Sequence, residues 1–108
     1  MSHKPPTVAE CKHMEAVRRL GCIACRNSMG LASEAEIHHI LTKGGRRMGH
    51  MFVLPLCPTH HRGYGLTNAV RATGIVSIAD SVRVFERRYG SQADLLEQVE
   101  EELACAAH

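Results

Sequence analysis

Cysteine and histidine residues are concentrated in residues 21–65, which make up less than half of the 108-residue chain. This segment contains a Cys-x-x-Cys pair at Cys22 and Cys25 and a second closely spaced pair at Cys57 and His60. Thiolate and imidazole pairs at such short spacing, separated by about thirty residues, are typical of a tetrahedral zinc site. We therefore predict that these four residues bind a structural zinc ion.

Four further histidines lie in the same segment and are not needed for the zinc site: His38, His39, His50 and His61. Hydrolysis of a phosphodiester requires a cation that stabilises charge on the phosphate oxygens and the leaving group, and a base that activates water. In a strand, turn, strand and helix unit, one histidine on the first strand and one on the helix can bind the cation. Another histidine can then face the attacking water. The surplus histidines therefore predict a catalytic site beside the zinc site.

The residues before the predicted strands form a helix and a turn. Thr7 and Glu10 have the spacing of a capping box, and apolar residues at helical spacing predict a helix over residues 8–20. Residues 22–25 predict a tight turn that lets both cysteine sulfurs face one ion, and residues 27–33 predict a loop. This helix and turn lead the chain into the metal-binding segment.

A hairpin and a helix follow. β-Branched residues indicate a strand over residues 35–40, and a glycine-rich basic turn at residues 43–49 returns the chain antiparallel to a strand over residues 51–54. Pro58 suits the first turn of a helix that begins after Cys57. The second pair of zinc ligands therefore lies at the start of this helix.

Beyond Gly65 the pattern is helical. One segment ends at Gly90, Ser91 caps a last helix, and the acidic run at residues 97–102 is interpreted as the solvated face of that helix. The residues predicted to supply buried faces are Ile78, Val82, Val84, Phe85 and Tyr89, followed by Leu95, Leu96, Val99 and Leu103. We therefore predict an α+β fold, a small zinc-stapled core with helices on its N- and C-terminal sides.

The length of the chain favours one domain with a modest core. The chain has two Tyr, two Phe and no Trp, so we expect metal binding to help stabilise this core. Its predicted parts are a flexible N-terminus at residues 1–6, a helix at 7–21, the metal-binding core at 22–65 and a helical part at 66–108. The first residues lack the apolar region of a signal peptide, and no apolar run approaches the roughly 20 residues that span a bilayer. We therefore expect a soluble cytoplasmic protein with no membrane partner.

The chain has five cysteines and a net charge of +2. An odd cysteine count in an intracellular protein argues against disulfides, and Cys11 is interpreted as a small buried hydrophobe of the first helix. The net charge alone does not indicate nucleic acid, but basic residues lie around the metal-binding segment. Those predicted to contact a DNA backbone are Lys43, Arg46, Arg47 and Arg62. The alternative is an ordinary solvated hairpin tip.

The strand containing residues 37–40 and the helix start at residues 56–61 together resemble the ββα-metal, or HNH, nuclease module. In that module a strand carries the catalytic histidine, and the helix opens with a Cys-x-x-Cys-His motif. The resemblance implies that His38 and His61 bind a catalytic cation and that His39 is the general base. It also implies that His60 takes the place of the second helix cysteine.

A closer resemblance is to the Ref family of phage recombination-enhancement nucleases, and it covers roughly residues 20–96. The matching segments are residues 21–25, 37–40, 53–57, 60–61 and 85–90, together with Leu95 and Leu96. This resemblance implies a metal-dependent DNA endonuclease acting in phage recombination with a recombinase filament, inside a bacterial host. The implied cofactors are a structural Zn²⁺ and a catalytic Mg²⁺, Mn²⁺ or Zn²⁺.

The sequence also departs from the nuclease pattern. Phe52 occupies the place of the middle asparagine of an HNH module, and residues 74–80 lack a further histidine found in similar proteins. His50 is our candidate for a third cation ligand or a phosphate donor, the alternative being a surface histidine. Two other functions remain open: a non-catalytic zinc module that binds DNA or a protein, and a purely structural interaction domain. The oligomeric state is open too.

Overall fold

A short antiparallel strand pair with helices before and after it forms the framework of the computed structural model, which describes residues 5–42 and 44–106. The elements in chain order are α1 Val8–Arg19, α2 Ile23–Met29, β1 Glu36–His39, β2 Val53–Leu56, α3 Pro58–Arg62, α4 Asn68–Arg71, α5 Val82–Tyr89 and α6 Gln92–Ala106. This confirms the predicted α+β class. Residues 1–4 of the N-terminus predicted to be flexible, and Lys43 of the basic turn, lie outside the described residues.

Helix α1 begins at the predicted capping box. The hydroxyl of Thr7 accepts a hydrogen bond from the backbone N–H of Glu10 at 3.1 Å, and the Glu10 carboxylate accepts one from the Thr7 N–H at 2.8 Å. Val17 is fully buried and Met14 packs against the core. The prediction that Cys11 is buried is wrong, because only the later part of the apolar stripe meets the core and Cys11 is exposed.

Strands β1 and β2 pair antiparallel, with Glu36 opposite Leu56 and His38 opposite Leu54. The first strand agrees with the prediction, but the second lies at Val53–Leu56 instead of residues 51–54. Burial explains the shift, because the side chains of Val53, Leu54 and Leu56 are fully buried whereas Met51 and Phe52 are exposed. Pro55 has no backbone N–H, but it is compatible with this position because each strand of a two-stranded sheet has an outer edge with no partner strand to accept a hydrogen bond.

Helix α2 replaces the turn and part of the loop predicted before the sheet. Cys22 is its N-cap, and the Cys22 sulfur accepts a hydrogen bond from the backbone N–H of Cys25 at 3.4 Å. Cysteine is not among the side chains that usually mark an N-cap, so the sequence pattern did not indicate a helix start. The helix ends at Gly30, whose positive φ of 64° satisfies a left-handed C-cap.

Helix α6 docks against α2 through polar side chains. Arg26 forms a partly buried ion pair with Glu102, and the amides of Asn27 and Gln98 bond to each other at 2.8 and 2.9 Å. The interpretation of residues 97–102 as a purely solvated face is therefore wrong for Glu102. The apolar side of α6 contributes Leu95 and Val99, which are buried in the core.

Helix α5 turns a single face toward the core. Phe85 is fully buried, and Tyr89, one helical turn later, packs beside it with ring centroids 4.8 Å apart. Val84 points away from this face, and Val82 is the first residue of the helix. Their side chains are 42% and 46% exposed, so the prediction that they are buried is wrong. Within the described ranges, no helix is long and apolar enough to cross a membrane.

Truncating Phe85 tests how much the packing of this ring stabilises the protein. We expect Phe85→Ala to lower the free energy of unfolding by about 3–5 kcal/mol, because it leaves a cavity at a fully buried position. Val84→Ala, on the exposed side of the same helix, is expected to change it by less than about 0.5 kcal/mol. Urea unfolding followed by circular dichroism measures both, and equal effects would contradict the burial pattern.

Candidate metal centres and active site

The predicted zinc ligands Cys22, Cys25, Cys57 and His60 converge, and we call them the Cys3His cluster. Their potential ligand atoms all lie within 4.8 Å of one another. The sulfurs of Cys25 and Cys57 are 3.8 Å apart, and the Nδ1 atom of His60 lies 3.2 to 3.6 Å from the three sulfurs. Ideal tetrahedral zinc, with bonds of about 2.3 Å to sulfur and 2.0–2.1 Å to nitrogen, separates ligand sulfurs by about 3.8 Å and sulfur from nitrogen by about 3.5 Å.

Two helices present these ligands in the same way. Cys22 is the N-cap of α2 and Cys25 follows three residues later, while Cys57 is the N-cap of α3 and His60 follows three residues later. In each helix the N-cap sulfur accepts the backbone N–H of the second ligand, both at 3.4 Å. These hydrogen bonds favour the thiolate form, because an ionised sulfur is the better acceptor.

The Cys3His cluster is buried, and the pKa values of two of its thiols are shifted in opposite directions. Cys22, Cys25, Cys57 and His60 are each at most 8% exposed. A hydrogen bond from the Cys22 thiol, reinforced by His60, lowers the pKa of Cys57 to about 3. The same hydrogen bond, together with burial, raises the pKa of Cys22. One sulfur therefore has thiolate character, and the donor set and spacing fit a structural metal such as zinc.

Tyr89 holds the outer edge of the His60 ring. The Nε2 atom of His60 lies 3.1 Å from the Tyr89 hydroxyl, which also accepts the backbone N–H of Val76 at 3.3 Å. The Nδ1 atom is thereby turned toward the sulfurs, as expected for a ligand oriented by a partner on its other nitrogen. The sequence indicated Tyr89 only as an apolar core residue, because nothing in the pattern of α5 shows where its hydroxyl points.

His38 from β1 and His61 from α3 lie against each other, with ring centroids 5.3 Å apart and planes at 74°. The Nε2 atom of His38 donates to the amide oxygen of Gln92 at 2.8 Å, and the Nδ1 atom of His61 donates to the Glu36 carboxylate at 3.0 Å. Each imidazole therefore has one nitrogen held by a partner, and in a neutral ring the other nitrogen, Nδ1 of His38 or Nε2 of His61, is an acceptor.

Glu36 connects this histidine pair to a basic side chain. Its two carboxylate oxygens accept hydrogen bonds from Arg62 at 2.8 and 2.6 Å. Arg62, followed by His61, lowers the pKa of Glu36 and keeps it ionised. We did not identify Glu36 or Gln92 from the sequence. Glu36 was detectable, because it lies two residues before His38 and therefore on the same side of the strand, whereas Gln92 comes from a distant helix.

His39 points away from the His38 and His61 pair and contacts His50. The Nε2 atom of His39 lies 3.1 Å from Nδ1 of His50, and the two ring centroids are 5.2 Å apart. Burial, and then the positive charge of Arg47, lower the pKa of His39 and favour its neutral form. Among the described residues, the Cys3His cluster is the only group of three or more possible ligand atoms this close together.

The basic residues predicted to contact DNA occupy two places. Arg46 and Arg47 are exposed on the turn between the strands, where Leu41 and Arg47 form an isolated bridge. Arg62 is bound to Glu36, yet its side chain remains 57% exposed. Lys43 lies outside the described residues. The two arginines of the turn and Arg62 thus lie next to the two histidine pairs along the chain.

A protein-family model described as "Recombination enhancement, RecA-dependent nuclease" matches residues 6–104 of this chain. The match includes the Cys3His cluster and all four further histidines of the metal-binding segment. It confirms the predicted resemblance to the Ref family. No curated protein matches the chain.

Replacing Cys57 tests the Cys3His cluster. We expect Cys57→Ser to lose bound zinc and its cooperative thermal unfolding transition, because structural zinc sites contribute on the order of 10 kcal/mol to folding. Cys11→Ser, which changes an exposed cysteine, is the matched control and should keep both. Metal analysis by mass spectrometry and thermal melting measure the two properties. Retention of zinc by Cys57→Ser would show that Cys57 is not a ligand.

Proposed function

Because the chain belongs to the family of recombination-enhancement, RecA-dependent nucleases, we propose that it is a metal-dependent DNA endonuclease of the HNH type. The observation that supports this most is the contact between His38 of β1 and His61 of α3, with His39 next along the strand on its other side. Two imidazoles can bind a cation and a third can activate water, which supplies both the cation and the base that phosphodiester hydrolysis uses.

In this proposal the Cys3His cluster binds a structural zinc ion. The ion would join the N-termini of α2 and α3, which carry two ligands each. His61 directly follows His60, so the bond that holds His60 also determines where His61 lies. The structural ion thereby supports the active site without taking part in the reaction.

The catalytic cation would be Mg²⁺, Mn²⁺ or Zn²⁺, held through the acceptor nitrogens of His38 and His61. When bound, it would stabilise negative charge on the phosphate and the leaving oxygen. Gln92 and Glu36 hold the opposite ring nitrogens at 2.8 and 3.0 Å, which is how partners of metal-binding histidines select the ring nitrogen that faces the ion.

His39 would act as the general base. Its neutral form, favoured by burial and by Arg47, can accept a proton from water at Nδ1 while Nε2 contacts His50. We therefore propose that His50 orients His39 and is not a third cation ligand. This contact would replace the middle asparagine of other HNH modules, whose place is occupied by Phe52 in this chain.

DNA would reach these groups along the basic surface. Arg46 and Arg47 are exposed, Arg47 lies close enough to His39 to lower its pKa, and Lys43 precedes them in the same turn of the sequence. Arg62 can shift part of its hydrogen bonding from Glu36 to a phosphate, since its side chain is largely exposed. Such contacts position a DNA backbone without reading its sequence. Consistent with the family description, the proposed substrate is DNA bound in a RecA filament.

One observation favours a second function, a zinc module that binds DNA without cutting it. Phe52 is 38% exposed and offers no polar group to a catalytic histidine. If His50 did not orient His39, the site would hold a cation and DNA but lack an effective base. The endonuclease remains the better proposal, because the His39 and His50 contact supplies what Phe52 lacks.

Replacing His39 distinguishes the two functions. With supercoiled plasmid or single-stranded DNA, with and without a RecA filament, we expect Mg²⁺- or Mn²⁺-dependent cleavage that His39→Ala reduces about 10²–10⁴-fold. Zinc content, and DNA binding measured by fluorescence anisotropy, should be unchanged, because His39 lies outside the Cys3His cluster. DNA binding without cleavage by the unmodified protein under all these conditions would support the non-catalytic module.

The role of His50 can be tested with two amides of different length. The amide of His50→Asn occupies roughly the place of Nδ1, the atom that contacts His39, whereas the longer side chain of His50→Gln reaches the place of Nε2. We expect His50→Asn to keep most of kcat and His50→Gln to lose at least about tenfold, with little change in KM. Zinc content serves as the folding control. Equal kcat values for the two variants would contradict the orienting role.

A further inference from the structure

A pocket of about 330 Å³ opens beside the proposed cation site. The residues that line it are His38, Leu41, Thr42, Gly45, Val82 and Gln92. They come from β1, from the turn that follows it, and from the first residues of α5 and α6. We call this cavity the side pocket. Its volume is at the lower end of the roughly 300–1,000 Å³ of small-molecule sites.

The walls of the side pocket combine apolar and polar groups. Leu41 and Val82 are large apolar residues that remain 50% and 46% exposed. Thr42 supplies a hydroxyl, and Gln92 has amide N–H donors in addition to the oxygen that His38 uses. At Gly45, where φ is 79°, no atom lies within 4 Å of the position a side chain would take, so the wall is open there.

The charge around the side pocket fits a polyanion. None of the described residues that line it carries a carboxylate, and the nearby Glu86 carboxylate is engaged by the backbone N–H of Gln92 at 2.8 Å. Arg46 and Arg47 follow Gly45 directly in the chain and are exposed on the same turn. His38 belongs both to the pocket wall and to the histidine pair of the proposed cation site. A group in the side pocket would therefore be attached close to a phosphate bound at His38.

From these observations we propose that the side pocket binds an unpaired nucleobase next to the phosphate that is cut. The flat faces of a base can pack between Leu41 and Val82, and its polar edge can bond to Thr42 and Gln92. A base inside a duplex is stacked on both faces and paired at its edge, so it cannot enter. This inference rests on the proposed nuclease function and deepens it, because it selects DNA with an unpaired base at the cut.

Filling the side pocket tests the inference in cleavage assays. An abasic residue is placed in turn at each position around the cut of a single-stranded oligonucleotide. We expect kcat/KM to fall at least about tenfold at one position flanking the cut. Val82→Phe should lower the rate on the intact oligonucleotide to a similar extent and be insensitive to that abasic residue. Val84→Phe, on the same helix and also exposed, is the matched control and should behave as the unmodified protein.

Cleavage that is insensitive to abasic residues at every position, or equal behaviour of the Val82→Phe and Val84→Phe variants, would overturn the inference but leave the nuclease function intact. If no DNA is cut, the proposed nuclease function is wrong, and the side pocket is then tested by measuring whether it binds a base. For that purpose 2-aminopurine replaces each base in turn, and its fluorescence is followed with zinc-loaded His39→Ala protein. A position-specific change lost in Val82→Phe but kept in Val84→Phe supports the side pocket. Absence of any such change overturns it.

Discussion

The structure depends on the convergence of two helix N-termini. Helices α2 and α3 each place an N-cap cysteine and a second ligand three residues later at one point, within 4.8 Å of each other. The approach of α2 also places Arg26 against Glu102 of α6, and the approach of α3 places His61 against His38 of β1. A metal ion such as zinc at this point would therefore join segments that belong to the buried core, which includes Ile23 and Ala24 beside the ligands.

Alternation along β1 separates the groups of the candidate active site. Glu36 and His38 lie on the side of the strand that meets α3, whereas His39 points the other way, toward His50. Neighbouring residues of a strand face opposite sides, so adjacent histidines acquire different partners without any unusual backbone. In the proposed mechanism, His38 therefore binds the cation on one side of the strand, and its neighbour His39 accepts a proton on the other side.

The modest core gives some side chains two roles. Tyr89 packs on Phe85 in the core and also bonds His60 through its hydroxyl. Gln92 begins α6 and at the same time holds His38. Packing of α5 and α6 is therefore linked to the orientation of histidines on α3 and β1. A small chain with two Phe, two Tyr and no Trp has few large side chains, so the same residues both pack the core and orient the histidines.

The sequence by itself determined the four members of the Cys3His cluster, the capping box of α1, the first strand and the family, because each rests on residue types at short spacing. The position predicted for β2 was wrong because burial determines where this strand lies. Helix α2 was not predicted because its N-cap is a cysteine, which does not usually mark a helix start. Val82, Val84 and Cys11 were also treated as core, because helical spacing does not show which part of a stripe meets another element. Only the tertiary structure decided the partners of the histidines. Gln92, Tyr89 and His50 lie 54, 29 and 11 residues from the histidines they contact, and such distant pairing follows from packing and not from local pattern.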